Sequence, residues 1–127
     1  MKRRRGGLTT TARVRDGLRS ERIPRAVVSS ALPRTVISSR LAARIVGNVG
    51  DSWRCTSSPS VGKAFGPVAT IDVSVDGCRA AKVRAITAPL PTGLDVVVGQ
   101  DVLQKSVQRI DFTTTPATLR CRLPRRR

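Results

Sequence analysis

The sequence predicts a mostly β fold carrying one or two short helices, and three observations support that expectation. Val, Ile, Leu and Thr are abundant while Trp53, Phe65 and Phe112 are the only aromatic residues, so the core has to come from aliphatic and β-branched side chains that suit a pleated surface. The stretch VATIDVSVDG alternates apolar and polar residues and closes on Asp76-Gly77, a strong hairpin signal. The chain also reads as two similar halves: ARVRDG is followed by RAVVSSALP, and DVSVDG by VRAITAPLP. Each half then runs through an apolar strand into a short helix. At 127 residues one domain is expected, large enough for a core of its own.

Residues 1–7 form a charged, Gly-ended leader expected to be disordered. Leu8 to Val14 is a first strand, Arg15 to Gly17 a turn, and Arg22 to Val28 a second strand whose AVV enters the core. After Pro33, VISSRLAARIV gives a short strand and a helical turn with Leu41, Ala42 and Ile45 facing inward. Asn48 to Pro67 is dense in Gly, Ser and Pro and reads as a loop or mobile hairpin. Val68 to Val75 and AAKVRAITAPL are then partner strands. LDVVVGQDVL, Leu94 to Leu103, is a buried strand ending at Gly99 and followed by a brief helix, and VQRIDF and ATLRCRL supply two terminal strands. The expected organisation is a basic leader at 1–7, one domain over 8–123, and a basic tail at 124–127.

The net charge of +16 is unevenly placed. Met1 to Arg25 holds nine Lys/Arg against Asp16 and Glu21, and Leu119 to Arg127 adds five Arg and no acid. Ala26 to Thr118 carries ten basic and six acidic residues, an ordinary surface balance. Lys2, Arg3, Arg4 and Arg5 at one end, and Arg125, Arg126 and Arg127 at the other, are therefore the candidate anion-binding residues, suited to nucleic acid or another polyanion. Three cysteines, Cys55, Cys78 and Cys121, form no CxxC pair, and the chain has no histidine, so the usual zinc sets cannot be assembled and no metal or cofactor is expected. The cysteines read as reduced, partly buried thiols of a cytoplasmic protein. No apolar run is long enough to span a membrane. The Arg- and Thr-rich start resembles an organellar presequence, a reading that Gly6, Gly7 and Asp16 weaken.

The stretch AVVSSALPRTVISSRLA, Ala26 to Ala42, resembles the retropepsin-like aspartic proteases. That family shows an apolar strand, then Asp-Thr-Gly-Ala, then an Ile-Ser-x-x-Leu-Ala segment, and AVV, SSAL and VISSRLA occupy those places. LDVVVGQDVL, with Val97, Val98, Gly99 and Asp101, resembles the family's apolar-apolar-Gly-x-Asp-x-Leu segment, and VQRIDF its following Ile-Asp strand. The resemblance covers most of Leu8 to Leu123 and implies a closed β-barrel lobe with an internal pseudo-twofold. It also implies a homodimer in which each subunit lends one aspartate to a shared site. There two carboxylates share a proton, so that one acts as base toward water while the other donates to the substrate carbonyl.

Ser29 stands where the resemblance calls for that aspartate, Ser30 replaces Thr, and Ala31 replaces Gly. A serine hydroxyl does not ionise near neutral pH, and as a nucleophile it needs an adjacent base. Lys63, Lys82 and Lys105 have no sequence relation that places them beside Ser29. Asp101 reads as a helix-start or hydrogen-bonding residue, Asp76 as a turn residue, Asp95 as the residue before a strand, and Asp111 as a strand position of the family. No catalytic residue is therefore assigned. The segment Ser60, Val61, Gly62, Lys63, Ala64, Phe65 and Gly66 falls where the family has its covering flap, so an extended peptide is an expected partner. Three functions follow as expectations: a non-catalytic dimeric peptide-binding or assembly module, a nucleic-acid- or ribonucleoprotein-binding basic protein, and an active aspartic endopeptidase whose acid lies elsewhere. Against the last, the chain contains no DTG or DSG triplet.

Overall fold

Two tight turns fold the alternating segments into hairpins, and these organise the computed structural model, which describes residues 2–4, 7–29, 31–47, 49–58, 62–111 and 118–121. The first half runs β1 (Lys2–Arg4), β2 (Gly7–Asp16), β3 (Arg19–Val28), β4 (Val36–Ser38) and α1 (Ser39–Ile45). The second runs β5 (Trp53–Ser58), β6 (Gly62–Val75), β7 (Cys78–Ala88), β8 (Val96–Val98) and α2 (Gln100–Ser106), followed by β9 (Val107–Asp111) and β10 (Thr118–Cys121). The strand order β2-β3-β8-β4-β7-β6 closes on itself because β2 also pairs with β6, giving a six-stranded closed barrel. Closure leaves the barrel proper without an open edge. The β6–β7 turn is Asp76-Gly77, both at positive φ (48° and 84°), the backbone that a two-residue hairpin matching strand twist requires. The β2–β3 turn is Gly17-Leu18, because Asp16 pairs with Arg19; it lies just beyond the expected Arg15 to Gly17.

The repeat seen in the sequence is a twofold in the pairing. Adding 60 to residue numbers carries the pair Ala12–Val75 onto Asp72–Arg15, Val27–Val97 onto Thr87–Ile37, and Val36–Val97 onto itself shifted by one partner, Val96–Ile37; all are observed pairs. The central strand β8 lies between β3, to which it is parallel, and β4, to which it is antiparallel. The chain leaving β3 therefore crosses the end of β8 before it enters β4, and Gly99 sits beneath that crossing. An added Cβ there would stand 2.7 Å from the Leu32 carbonyl oxygen and 2.7 Å from the Arg34 carbonyl carbon. Only glycine fits so close a backbone approach.

The inner faces of the strands and α1 form one apolar cluster that includes Leu41, Ala42 and Ile45 as expected from the helical spacing. Ser38 caps α1, its Oγ accepting from the Leu41 amide at 3.0 Å, which satisfies one of the amides a helix start leaves free. A second cluster of Val27, Leu32, Val36, Ala64, Ile86, Ala88, Leu90 and Val97 lies at the end of the barrel where the loops cross.

Two expectations need correction, and a third is resolved. Lys2–Arg4, assigned to a disordered leader, pair with β2, Lys2 opposite Thr9 and Arg4 opposite Gly7. Of the loop or mobile hairpin read over Asn48 to Pro67, the structure shows the paired form, a two-stranded arm of β5 against the first part of β6. Its polar composition hides the alternation because one of its faces is solvated. Cys78 and Cys121 are joined by a disulfide, with Cα atoms 5.0 Å apart, and Cys55 alone is a free, exposed thiol. The pairing depends on β10 arriving beside the start of β7, a proximity that spacing along the chain does not encode. No helix is long and apolar enough to cross a membrane among the described residues.

Candidate functional site

The loop from Ser29 to Thr35 joins β3 to β4 and is held from behind by β8 and α2. The Ser29 amide donates to the Val98 carbonyl at 2.9 Å, and the Gln100 amide donates to the Leu32 carbonyl at 2.7 Å. Asp101 does most of the anchoring: its Oδ1 accepts from Thr35 Oγ1 at 2.7 Å and from the Val102 amide at 2.8 Å, while the Thr35 amide is 3.1 Å from both carboxylate oxygens. Thr35 Oγ1 in turn accepts from the Gly99 amide at 3.0 Å. A carboxylate so engaged is a structural clamp, and this is the hydrogen-bonding role read from its place in VGQDVL. Ala31, Pro33, Arg34, Gln100, Asp101 and Gln104 line an open depression of about 450 Å³ beside the loop.

Ser29 itself is fully buried, and its Oγ has no hydrogen-bond partner among the described residues. No base among them therefore contacts it, and a serine nucleophile needs one. Among the described residues no carboxylate lies on the loop; Ser30 lies outside them. Of the other acids, Asp95 accepts from Ser38 Oγ at 2.6 Å, and Asp72 is held below the usual carboxylate range chiefly by the Lys82 backbone amide, with Arg79 adding to it. Asp76 occupies the hairpin turn. Asp111 ends β9, opposite Thr118.

The arm shares an apolar cluster with this loop. Its inner face carries Thr56 and Ala64, directly opposite each other and both buried, and Ala64 belongs to the same apolar cluster as Leu32 and Val27. Its outer face carries Trp53, Cys55 and Phe65, all exposed, with the two rings tilted at 45° and their centroids 5.1 Å apart. At the base of the arm Thr87 Oγ1 donates to the Pro67 carbonyl at 3.0 Å, and any Cβ on Gly66 would overlap the Thr87 carbonyl. Of the expected flap residues, Gly62, Lys63, Ala64, Phe65 and Gly66 lie on the arm, whereas Ser60 and Val61 lie outside the described residues. Thr56 Oγ1 is, like Ser29 Oγ, buried without a partner.

The structure thus brings together Ser29, Ala31, Ala64, Val97, Gly99 and Asp101 around one loop. The expected anion-binding residues are not part of it: Lys2, Arg3 and Arg4 are described only as backbone of β1, and Arg5, Arg125, Arg126 and Arg127 lie outside the described residues. Thr35 and Thr56 were missed from sequence. Thr35 follows Arg34 in a loop and carries no pattern, and Thr56 sits in a stretch that reads as loop or hairpin without a pattern that marks an inward face. No group of metal-ligating side chains occurs among the described residues. Neither the protein-family models nor the curated proteins contain a match to this chain.

Proposed function

We propose that the chain is a non-catalytic, retropepsin-like lobe that captures extended peptide between the arm and the Ser29 loop, working as a homodimer. The observation that carries this reading is the pair of partnerless buried hydroxyls, Ser29 Oγ on the loop and Thr56 Oγ1 on the arm. A buried polar group without a partner costs about 1–3 kcal/mol, and these two lie on two elements, the loop and the arm, that contribute to one apolar cluster through Leu32 and Ala64. An extended peptide backbone carries alternating donors and acceptors and adds to a strand edge. Lifting the arm and inserting such a segment gives both hydroxyls partners. The twofold barrel and the crossing of the Ser29 loop over Gly99 agree with the retropepsin resemblance. The lack of a carboxylate on the loop argues for binding without cleavage, since the water-activating acid has no substitute there.

Trp53 is the only tryptophan and sits on the arm, so its fluorescence reports arm movement. Titration with a reduced, alkylated, unfolded polypeptide is expected to shift Trp53 emission and to leave the polypeptide intact at acid and neutral pH. Pepstatin-sensitive cleavage would restore the endopeptidase reading, and unchanged emission without binding would sink peptide capture. A Ser29→Asp, Ala31→Gly variant that gained cleavage would support the register.

A further inference from the structure

Across the outside of the barrel, four residues stand in register on neighbouring strands: Arg22 of β3 opposite Arg13 of β2, Arg13 opposite Ser74 of β6, and Ser74 opposite Arg79 of β7. The three arginines are exposed. Arg79 is answered by Asp72 at 3.3 Å. Arg13 and Arg22 are not answered: among the described residues the ion pairs use Glu21, Asp72 and Asp95, and they go to Arg40, Arg44 and Arg79. Arg13 Nη1 donates to Ser20 Oγ at 3.4 Å. Like charges directly opposite each other on paired strands repel, and among the described residues no carboxylate makes an ion pair with either of these two.

An open depression of about 490 Å³ lies at the same place, between Arg13, Arg22, Ser74 and the Asp76-Gly77 turn, with Thr11 beside it. The leader leads to it. β1 pairs with Gly7, Leu8 and Thr9 of β2, and β6 pairs with Ala12 to Arg15, so β1 and β6 follow one another beside β2. Because β1 is antiparallel to β2, Lys2 is its residue nearest Thr11.

We propose that this face binds the phosphodiester backbone of nucleic acid, with Arg13 and Arg22 holding one or two phosphates and the Lys2–Arg4 strand extending the track. A guanidinium presents a fork of donors that matches phosphate oxygens, and a phosphate between the two arginines relieves their repulsion. The large exposed apolar residues, Leu18, Trp53 and Phe65, lie at the β2–β3 turn tip and on the arm, so among the described residues the track offers no ring on which a base stacks. Binding is then independent of base sequence and strongly dependent on salt. The site is separate from the peptide-binding surface, and its failure would leave that reading standing.

The test uses the full chain and labelled oligothymidylate, with affinity followed by anisotropy over a salt series. Replacing Arg13 and Arg22 together by Ser is expected to flatten the slope of log K against log salt by about 1.4, since each lost single-strand phosphate contact contributes about 0.7. The same variant keeps or raises its melting temperature, which separates lost binding from lost folding. Asp76→Asn removes the one carboxylate at the rim and is expected to tighten binding. A double variant with the wild-type slope overturns the proposal. So does polyglutamate binding as tightly as the oligonucleotide, which would make an acidic polypeptide the partner.

Discussion

The loop after β3, residues 29–35, and the loop after β7, residues 89–95, occupy equivalent places in the twofold barrel, and each is held by the helix of the other half. The second residue of α2, Asp101, gathers the amide and hydroxyl of Thr35 on the first loop. The second residue of α1, Arg40, donates to the carbonyls of Leu90, Pro91 and Leu94 on the second loop, at 3.2–3.3 Å. The same position in the two halves thus does the same job with opposite chemistry, acceptor in one and donor in the other. The residue before each helix differs in the same way. Ser38 caps α1 and also donates to Asp95, whereas Gly99 brings no side chain because the crossing loop leaves no room for one. Thr35 Oγ1, on the crossing loop, accepts from the Gly99 amide instead. The second half thus lacks a side-chain cap where the Ser29 loop of the first half crosses closely, and Asp101 and Thr35 bond the Val102 and Gly99 amides there.

The halves differ most at their hairpin turns. Position 78, where β7 starts, is stapled to β10, while its equivalent, Leu18, is fully exposed at an unattached turn. Opening the Cys78–Cys121 bridge is therefore the largest perturbation expected of the second half. The bridge closes a separation of 43 residues, for which chain entropy alone gives about 4 kcal/mol. Cys121→Ser is expected to lose up to that amount in denaturant unfolding. Hydrogen exchange should rise around β7 and β10 and stay unchanged at the Gly17-Leu18 turn. Equal loss of protection at both turns would mean that the halves do not respond separately.

The clamps come next. Asp101→Ala strands three donors in a part-buried place, the Thr35 amide and hydroxyl and the Val102 amide, and is expected to cost about 3 kcal/mol. Arg40→Ala releases carbonyls that water reaches, and its longer, exposed bonds predict about 0.5–1 kcal/mol. Measuring the two side by side tests whether acceptor and donor clamps are as unequal as their burial suggests. Equal losses would show that the loops matter alike despite the exposure of the Arg40 contacts.

Most of the barrel was legible in the sequence because alternation and turn chemistry are local. DVSVDG gave its hairpin, and the spacing of Leu41, Ala42 and Ile45 gave the buried face of α1. The place of the Ser29 loop was legible because AVV ends an apolar strand and Pro33 precedes the next one. The packing of the arm was less so, because its outer face is solvated and its sequence fits a loop as well as a hairpin. The long-range partners were also hidden: Thr35 and Asp101 are 66 residues apart, and neither lies in a pattern that names the other. The cysteine pairing failed for the same reason. An odd count and the absence of CxxC describe spacing, whereas the bond depends on where the last strand returns.

Two surface carboxylates give the finest comparison of the halves. In the first, Glu21 of β3 is held below the usual carboxylate range chiefly by its hydrogen bonds to Arg44, at 2.7 and 2.8 Å. In the second, Asp72 of β6 is lowered chiefly by the Lys82 backbone amide at 3.1 Å. Both folded-state values lie below the unfolded ones, so each contributes stability that is fully present above the ordinary value, 4.5 for Glu21 and 3.8 for Asp72. That stability is lost as the pH falls through the folded value. The Glu21 contribution comes from an exposed side-chain pair and is screened by salt. The Asp72 contribution rests first on a backbone amide whose position the hairpin fixes. Melting temperatures are therefore expected to fall on acidification below about pH 4.5 in both halves, with added salt weakening only the Glu21 part. Glu21→Gln should remove the salt-sensitive part of the acid slope and Asp72→Asn the salt-resistant part, each by less than the Arg40→Ala effect. If salt instead flattens the slope that remains in Glu21→Gln, the Asp72 carboxylate is held by Arg79 rather than by the turn of the chain at Lys82.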